Sequence, residues 1–171
     1  MNEKIIKYLR SDHAGELGAV HIYIGILKTT KCPEIKSFSK EHLITEQKHL
    51  DKIEQILPEK YYSKFLNFWK ISGFLLGSIC GLLGPKWVYY SIETVESFVE
   101  KHYQDQIDYL TKLGSHSNLL STLMECQADE ISHKLEAAEK MPPVKKGLLL
   151  TYWLWLVDWG SKQAVKIAKT I

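Results

Sequence analysis

The sequence predicts an all-α fold, an antiparallel bundle of long helices with additional apolar helices, on three observations. Punctuation is sparse, ten Gly and five Pro, so the chain falls into long runs rich in Leu, Ile, Lys and Glu. Several runs space apolar residues at i, i+3, i+4 and i+7, the period of one helix face. No stretch alternates apolar and polar residues between turn signals, as a half-buried strand would. Six runs with short connections favour antiparallel neighbours. A length of 171 residues suits a single domain, 1–171, able to bury a core.

The first run, 3–31, carries Leu17, Val20, Ile24 and Leu27 along one face. Proline is tolerated in a first helical turn and breaks helix interiors, so Pro33, Pro58, Pro85 and Pro142–Pro143 mark starts or joints. Pro33 opens the second run, 33–57, where Leu43, Leu50, Ile53 and Ile56 recur with Glu46 and His49 on the neighbouring stripe. The third, 59–83, leads into fifteen residues without a charge, ISGFLLGSICGLLGP, in which Gly73, Gly77 and Gly81 repeat every fourth residue. That repeat allows close helix contact or a bend. The fourth, 85–113, ends where Gly114 can close one helix and Ser115 or His116 begin the next, 116–140. The sixth, 143–170, holds the charge-free GLLLTYWLWLV.

Composition excludes several classes. Twenty-two Lys and Arg against twenty Asp and Glu leave +2, with no basic stripe interleaved with aromatics, so no nucleic-acid partner is expected. Three cysteines, Cys32, Cys80 and Cys126, lie far apart without a CxxC, which argues against a disulfide scaffold or zinc ribbon. The opening MNEKIIKYLRSDHAGE has no apolar leader, so no secretory signal is expected. Mean hydropathy is −0.17, yet the apolar residues are clumped. At ~1.5 Å per residue neither charge-free stretch reaches the ~30 Å of a bilayer core as a lone helix. Lys145, Lys146, Lys162, Lys166 and Lys169 flank Trp and Tyr near the C-terminus, with Asp158 the one acidic residue among them. Aromatics beside Lys suit a headgroup boundary, so segments of about 66–92 and 147–157 are expected to face a membrane surface without spanning it. The rival reading is a buried core helix.

Two ExxH motifs, Glu46–His49 and Glu130–His133, fall on different predicted helices. A spacing of three puts both side chains on one face, one turn apart, so each pair can close on one ion. Single carboxylates stand on two further helices. Glu16 sits among small and apolar neighbours, and Glu96 has Glu93 and Glu100 as rivals. Glu96 is preferred because Glu46 follows Glu16 by thirty residues and Glu130 follows Glu96 by thirty-four. One Glu from each of two helices and a Glu-x-x-His from each of two others is the ligand set of di-iron carboxylate bundles. Mixed oxygen and nitrogen donors suit iron or manganese better than structural zinc. Asp129 and Asp12 are candidates to orient His49 and His133. His13, His21, His42 and His116 read as solvated or capping residues, and Cys126 as core lining.

The motifs DHAGE (12–16) with Ile22-Tyr23, EQKH (46–49), VESFVEKHYQDQI (95–107) and DEISH (129–133) resemble the demethoxyubiquinone hydroxylase family of ubiquinone biosynthesis, over nearly the whole chain. The resemblance implies a ferritin-like four-helix bundle with metal ligands Glu16, Glu46, His49, Glu96, Glu130 and His133, and a quinone-side pair at His102 and Tyr103. It implies a di-iron monooxygenase that hydroxylates the ring of a demethoxyubiquinone-type polyprenyl quinone or quinol. Its cofactors would be two iron ions, with O₂ as co-substrate and NADH or the quinol as reductant. Implied partners are the polyprenyl quinone, a membrane surface, and a lipid-binding partner protein or a second copy of the chain. The expected location is peripheral, on the cytoplasmic face of a bacterial inner membrane, with the matrix side of the mitochondrial inner membrane as the alternative. Departures are Ser97, where a second carboxylate is usual, the GPKWVYY stretch (84–90) and a Trp-rich C-terminal half. Rival functions are another ferritin-like di-metal oxidase or ferroxidase, and a metal-free membrane-associated bundle.

Overall fold

The structure is a computed structural model that describes residues 1–143 and 146–170. Among the described residues it holds six α-helices, one 3-10 turn and no strand: α1 Glu3–Thr29, α2 Pro33–Ile56, η1 Glu59–Tyr61, α3 Leu66–Leu83, α4 Pro85–Leu113, α5 Ser117–Glu139 and α6 Leu148–Ala168. This is the expected all-α class, consistent with a helical bundle. The chain divides into two compact units, one of residues 1–88 with the chain from 160 on, the other of residues 89–159.

In the first unit, the Asn2 side chain caps α1 by accepting from the Ile5 amide at 2.9 Å. Pro33 sits at the start of α2, where its missing N–H leaves no bond unmade. The short link at 30–32 folds α2 back along α1. Their shared core includes Leu17, Val20 and Leu50, with Ile24 and Leu43 packed against it.

The third predicted run does not form one helix. After Pro58 the chain makes only η1, and α3 starts at Leu66 rather than at 59. Side-chain bonding displaces the start. The Ser63 hydroxyl accepts from the Phe65 amide at 3.3 Å and from the Trp69 indole at 2.9 Å, while the Arg10 side chain donates to the Tyr61 carbonyl at 2.7 Å. These bonds offer the backbone an alternative to continuous helix. Trp69 then packs on Ala14 and Ala168.

α3 inverts the usual amphipathic arrangement. Its inner face is Gly73, Gly77 and Gly81 with Trp69 and Cys80, all buried. Phe68, Ile71, Leu75, Ile79 and Leu82 stand exposed on the other side. The glycines set α3 against the α1 backbone: a Cβ at Gly77 would strike the Ile22 carbonyl, and one at Gly73 the Gly18 carbonyl. α3 is long and apolar enough to cross a membrane by length and composition. It ends at Gly84, whose φ of +95° suits glycine, and Pro85 begins α4 directly.

The second unit contains α4 from Tyr89 onward, α5, and α6 as far as Trp159. Gly114, at φ +63°, closes α4, and His116, at φ +65°, is the N-cap of α5. Gln127 on α5 donates to the Glu100 carbonyl of α4 at 3.1 Å, and Lys134 pairs with the Glu100 carboxylate. Trp153 on α6 donates to the Ser91 hydroxyl at 2.8 Å, and the Lys146 ammonium lies 4.8 Å from the Tyr90 ring. α6 begins at Leu148 and not at the expected 143; Gly147 supplies the carbonyl for the Thr151 amide at 3.0 Å. Lys145, expected among the flanking cations, lies outside the described residues. On α6 the Tyr152, Trp155 and Trp159 rings are exposed and successively stacked, with centroids 5.7 and 6.4 Å apart.

Candidate metal centre

Each unit buries one Glu, Glu, His triad. In the first, α2 places Glu46 and His49 one turn apart, and α1 presents Glu16 to them. His49 Nδ1 lies 3.7 Å from Glu16 Oε2 and 4.0 Å from Glu46 Oε2. One donor atom from each of the three falls within 4.8 Å of the others. In the second unit α5 places Glu130 and His133 one turn apart, His133 Nδ1 being 3.6 Å from Glu130 Oε2. Glu96 on α4 completes that group within the same 4.8 Å.

These separations exceed a hydrogen bond. They match donors gathered around one ion, since ligands about 2.0–2.2 Å from a metal stand up to about 4.2 Å from each other. Burial is near complete: Glu46 and Glu130 are each 1 % exposed and His49 is 0 %. Two carboxylates in so dry a setting need positive charge nearby, because uncompensated buried charge is costly. Oxygen and imidazole donors without thiolate fit iron or manganese; the three cysteines form no disulfide among the described residues and lie outside both groups. Each triad could therefore hold a metal ion, and its donor set accommodates iron.

The structure separates Glu96 from its rivals. Glu93 and Glu100 are only half-buried; Glu93 accepts from Ser97 at 3.2 Å and Glu100 pairs with Lys134. Of the orienting candidates, Asp12 is buried and Asp129 exposed. Tyr103 is 1 % exposed on α4, two turns from Glu96 and on its face, and His102 is buried with its ring parallel to Phe98 at 6.1 Å.

Two histidines expected as solvated or capping residues are core residues instead. His42 is buried on α2, one turn before Glu46, with the Tyr23 hydroxyl 3.1 Å from its Nδ1 and Phe38 packed at 4.0 Å between ring centroids. His13 is buried on α1, one turn before Glu16. Its ring stacks on Tyr62 at 3.8 Å, and its Nε2 lies 3.3 Å from Glu54 Oε1. Burial pushes the His13 imidazole below its ordinary range, against the hydrogen bond and charge of Glu54. The available signal was spacing: both lie one turn from a glutamate of the buried cluster, on the same helix face. His116 does take a capping position, and His21 is half-buried with Nδ1 2.9 Å from the Leu17 carbonyl.

Known proteins resemble the chain over most of its length. A family model described as ubiquinone biosynthesis protein COQ7 matches residues 3–168. A Caenorhabditis elegans protein named NADPH-dependent 3-demethoxyubiquinone 3-hydroxylase, mitochondrial, is 29% identical over 98% of this chain and 90% of its own. A protein of the same name from Dictyostelium discoideum is 28% identical over 98% of this chain and 77% of its own. A Coxiella burnetii 3-demethoxyubiquinol 3-hydroxylase is 30% identical over 87% of this chain and 75% of its own. With both ExxH motifs inside the matched span, the chain belongs to the COQ7 family of ubiquinone biosynthesis proteins.

Proposed function

We propose that this chain hydroxylates the ring of a demethoxyubiquinone-type polyprenyl quinone or quinol with O₂, using two iron ions held by Glu16, Glu46, His49, Glu96, Glu130 and His133. The observation that carries the reading is the pair of buried Glu, Glu, His triads in a chain of this family. Four carboxylates balance the +4 of two divalent cations, and one imidazole per triad leaves positions open to other ligands. Iron, when bound, supplies the reduction of O₂ that oxygen insertion requires, with NADH or the quinol as the electron source. The chain's own residues position the ring and keep water from it. Tyr103 and His102, buried on α4, are assigned to the quinone side of the site.

A polyprenyl substrate resides in lipid, so the enzyme must meet a membrane. The exposed apolar side of α3 and the exposed Tyr152, Trp155 and Trp159 of α6 support surface binding. α3 has the length to span, but its other side rests on α1, which carries Asp12, His13 and Glu16. Carrying those groups into hydrocarbon is unfavourable, so we assign α3 to one leaflet. The relatives' names include mitochondrial proteins, and Coxiella is bacterial; an inner-membrane surface is the location we assign.

The test is anaerobic iron loading, then O₂ with a demethoxy-quinol, and mass analysis of the product. One added oxygen atom per ring is expected. Iron oxidation without oxygen transfer would replace the hydroxylase reading with a ferroxidase. Tyr103→Phe is expected to cut turnover at least about tenfold with iron content held; unchanged turnover would return Tyr103 to a packing role.

A further inference from the structure

We propose that the cleft between η1 and the start of α3 is a binding site for the phosphodiester headgroup of an anionic phospholipid. The proposal deepens the surface-binding reading of α3 given above and rests on it. The cleft has a volume of about 750 Å³ and is lined by Glu59, Lys60, Tyr62, Ser63, Lys64 and Asn67. That volume lies within the ~300–1,000 Å³ of small-molecule sites.

Ser63 sets the most specific demand on the ligand. It is 2% exposed, and its oxygen accepts from the Phe65 amide and the Trp69 indole. A hydroxyl has two lone pairs and one hydrogen. Both acceptor sites are therefore used, and among the described residues no acceptor takes the hydrogen. Buried polar groups are normally satisfied, so this lining position calls for a ligand that accepts. Phosphodiester oxygens only accept. Lys60 and Lys64 are exposed donors in no ion pair among the described residues, and the Lys60 ammonium lies 4.9 Å from the Tyr61 ring. The Asn67 amide offers a further donor.

Charge selects among phosphates. Lys60 and Lys64 against Glu59 leave the lining at +1, which matches the single negative charge of a phosphodiester. A free phosphate monoester carries nearly a second charge and meets Glu59 with it. Further cations stand on the same unit: Arg10 donates to the Tyr61 carbonyl at 2.7 Å, and Lys4 and Lys169 lie 5.7 and 4.5 Å from the Tyr8 ring. These disfavour a zwitterionic headgroup, whose own cation they repel. The source is lipid because of what adjoins the cleft. Leu66 also lines it, and the neighbouring Phe65 and Phe68 are 44% and 56% exposed. They open the apolar side of α3 that continues with Ile71 and Leu75. A phosphate held here lays its acyl chains along that side and fixes the first turn of α3 at headgroup level.

The test titrates the full chain with dihexanoyl-phosphatidylglycerol below its micelle concentration and follows backbone amide NMR shifts. Dihexanoyl-phosphatidylcholine and glycerol 3-phosphate serve as the zwitterionic and free-phosphate arms. Saturable shifts at 60–67 are expected with the anionic lipid, and binding at least about fivefold weaker in the other two arms. Lys60→Gln with Lys64→Gln is expected to weaken anionic lipid binding at least about tenfold. Lys36→Gln with Lys40→Gln removes the same charge from exposed positions on α2, more than about 20 Å along that helix from η1, and is expected to weaken it less than about twofold. Equal losses from the two pairs, equal affinity for the zwitterionic lipid, or glycerol 3-phosphate binding as tightly as the anionic lipid would each overturn the site. Sedimentation with vesicles of phosphatidylcholine mixed with phosphatidylglycerol separates the two readings. A chain that sediments with them but shows no saturable shift at 60–67 loses the headgroup site and keeps surface binding. One that sediments with no vesicle overturns the surface reading itself.

Discussion

Glu46 and Glu130 are placed where a carboxylate does least for an empty protein. Each is 1% exposed beside a second buried carboxylate and an imidazole, so without a cation both weaken the fold. Two opposite outcomes are expected from Glu46→Gln. Bound iron falls by at least one ion per chain, and the metal-free protein gains about 1–2 kcal/mol in a denaturant titration. A loss of metal-free stability would show that Glu46 supports packing instead. His13 gives a pH signature. Its folded imidazole titrates below the ordinary 6.5 because it is buried. As pH falls below about 6.5 the unfolded chain therefore takes up the proton first, and folding stability declines. His13→Gln is expected to flatten that part of the stability–pH curve, read as Tm between pH 5 and 7. At this scale the two buried clusters were legible because Glu46 with His49, and Glu130 with His133, repeat at helical spacing. His13 and His42 were not. Their burial is set by Tyr62 and Glu54 in one case and Tyr23 and Phe38 in the other, contacts between elements that spacing within one helix does not contain.

Among the elements, α3 departs furthest from what periodicity alone implies. Its charge-free run and the Gly73, Gly77, Gly81 repeat were readable, and the repeat does lie against another helix. Its start was not, because Ser63 and Arg10 act through side-chain bonds to Trp69 and Tyr61 that no propensity scale records. The large side chains point outward since the glycine side is filled by the α1 backbone. A methyl group at Gly77 would displace the Ile22 carbonyl, so Gly77→Ala is expected to destabilise by about 2–3 kcal/mol. Gly15 is the control. It is exposed on α1 with open space around its Cβ position, and Gly15→Ala is expected to stabilise by about 0.5–1 kcal/mol through helix propensity. Urea titrations of the two variants check both signs. Equal effects would mean that α3 does not approach α1 as closely as the glycines require.

For the molecule as a whole, a formal charge of +2 averages surfaces that behave differently. α3 exposes Phe68, Ile71, Leu75 and Leu82, and α6 exposes Tyr152, Trp155 and Trp159. Lys162 and Lys166 follow the tryptophans in sequence, as headgroup-seeking cations follow an interfacial belt. These features are expected to produce binding to vesicles of anionic lipid with two components. The basic component weakens with salt, because counter-ions screen exposed charge within about 10 Å at 0.1 M. The apolar component persists. Each large side chain moved from water into the interface contributes on the order of 1 kcal/mol when it is half-exposed at the start. Trp155→Ser with Trp159→Ser is therefore expected to weaken vesicle partitioning about tenfold or more, and Phe68→Ser with Leu75→Ser to do the same independently. Sedimentation with vesicles at low and high salt reads both components, and each pair reports on its own helix. If neither pair lowers partitioning while Lys162→Gln with Lys166→Gln abolishes it, attachment is electrostatic alone. The apolar sides of α3 and α6 would then need a protein neighbour to cover them, and the proposed polyprenyl substrate would have to reach the candidate metal site by a route other than direct insertion from the bilayer.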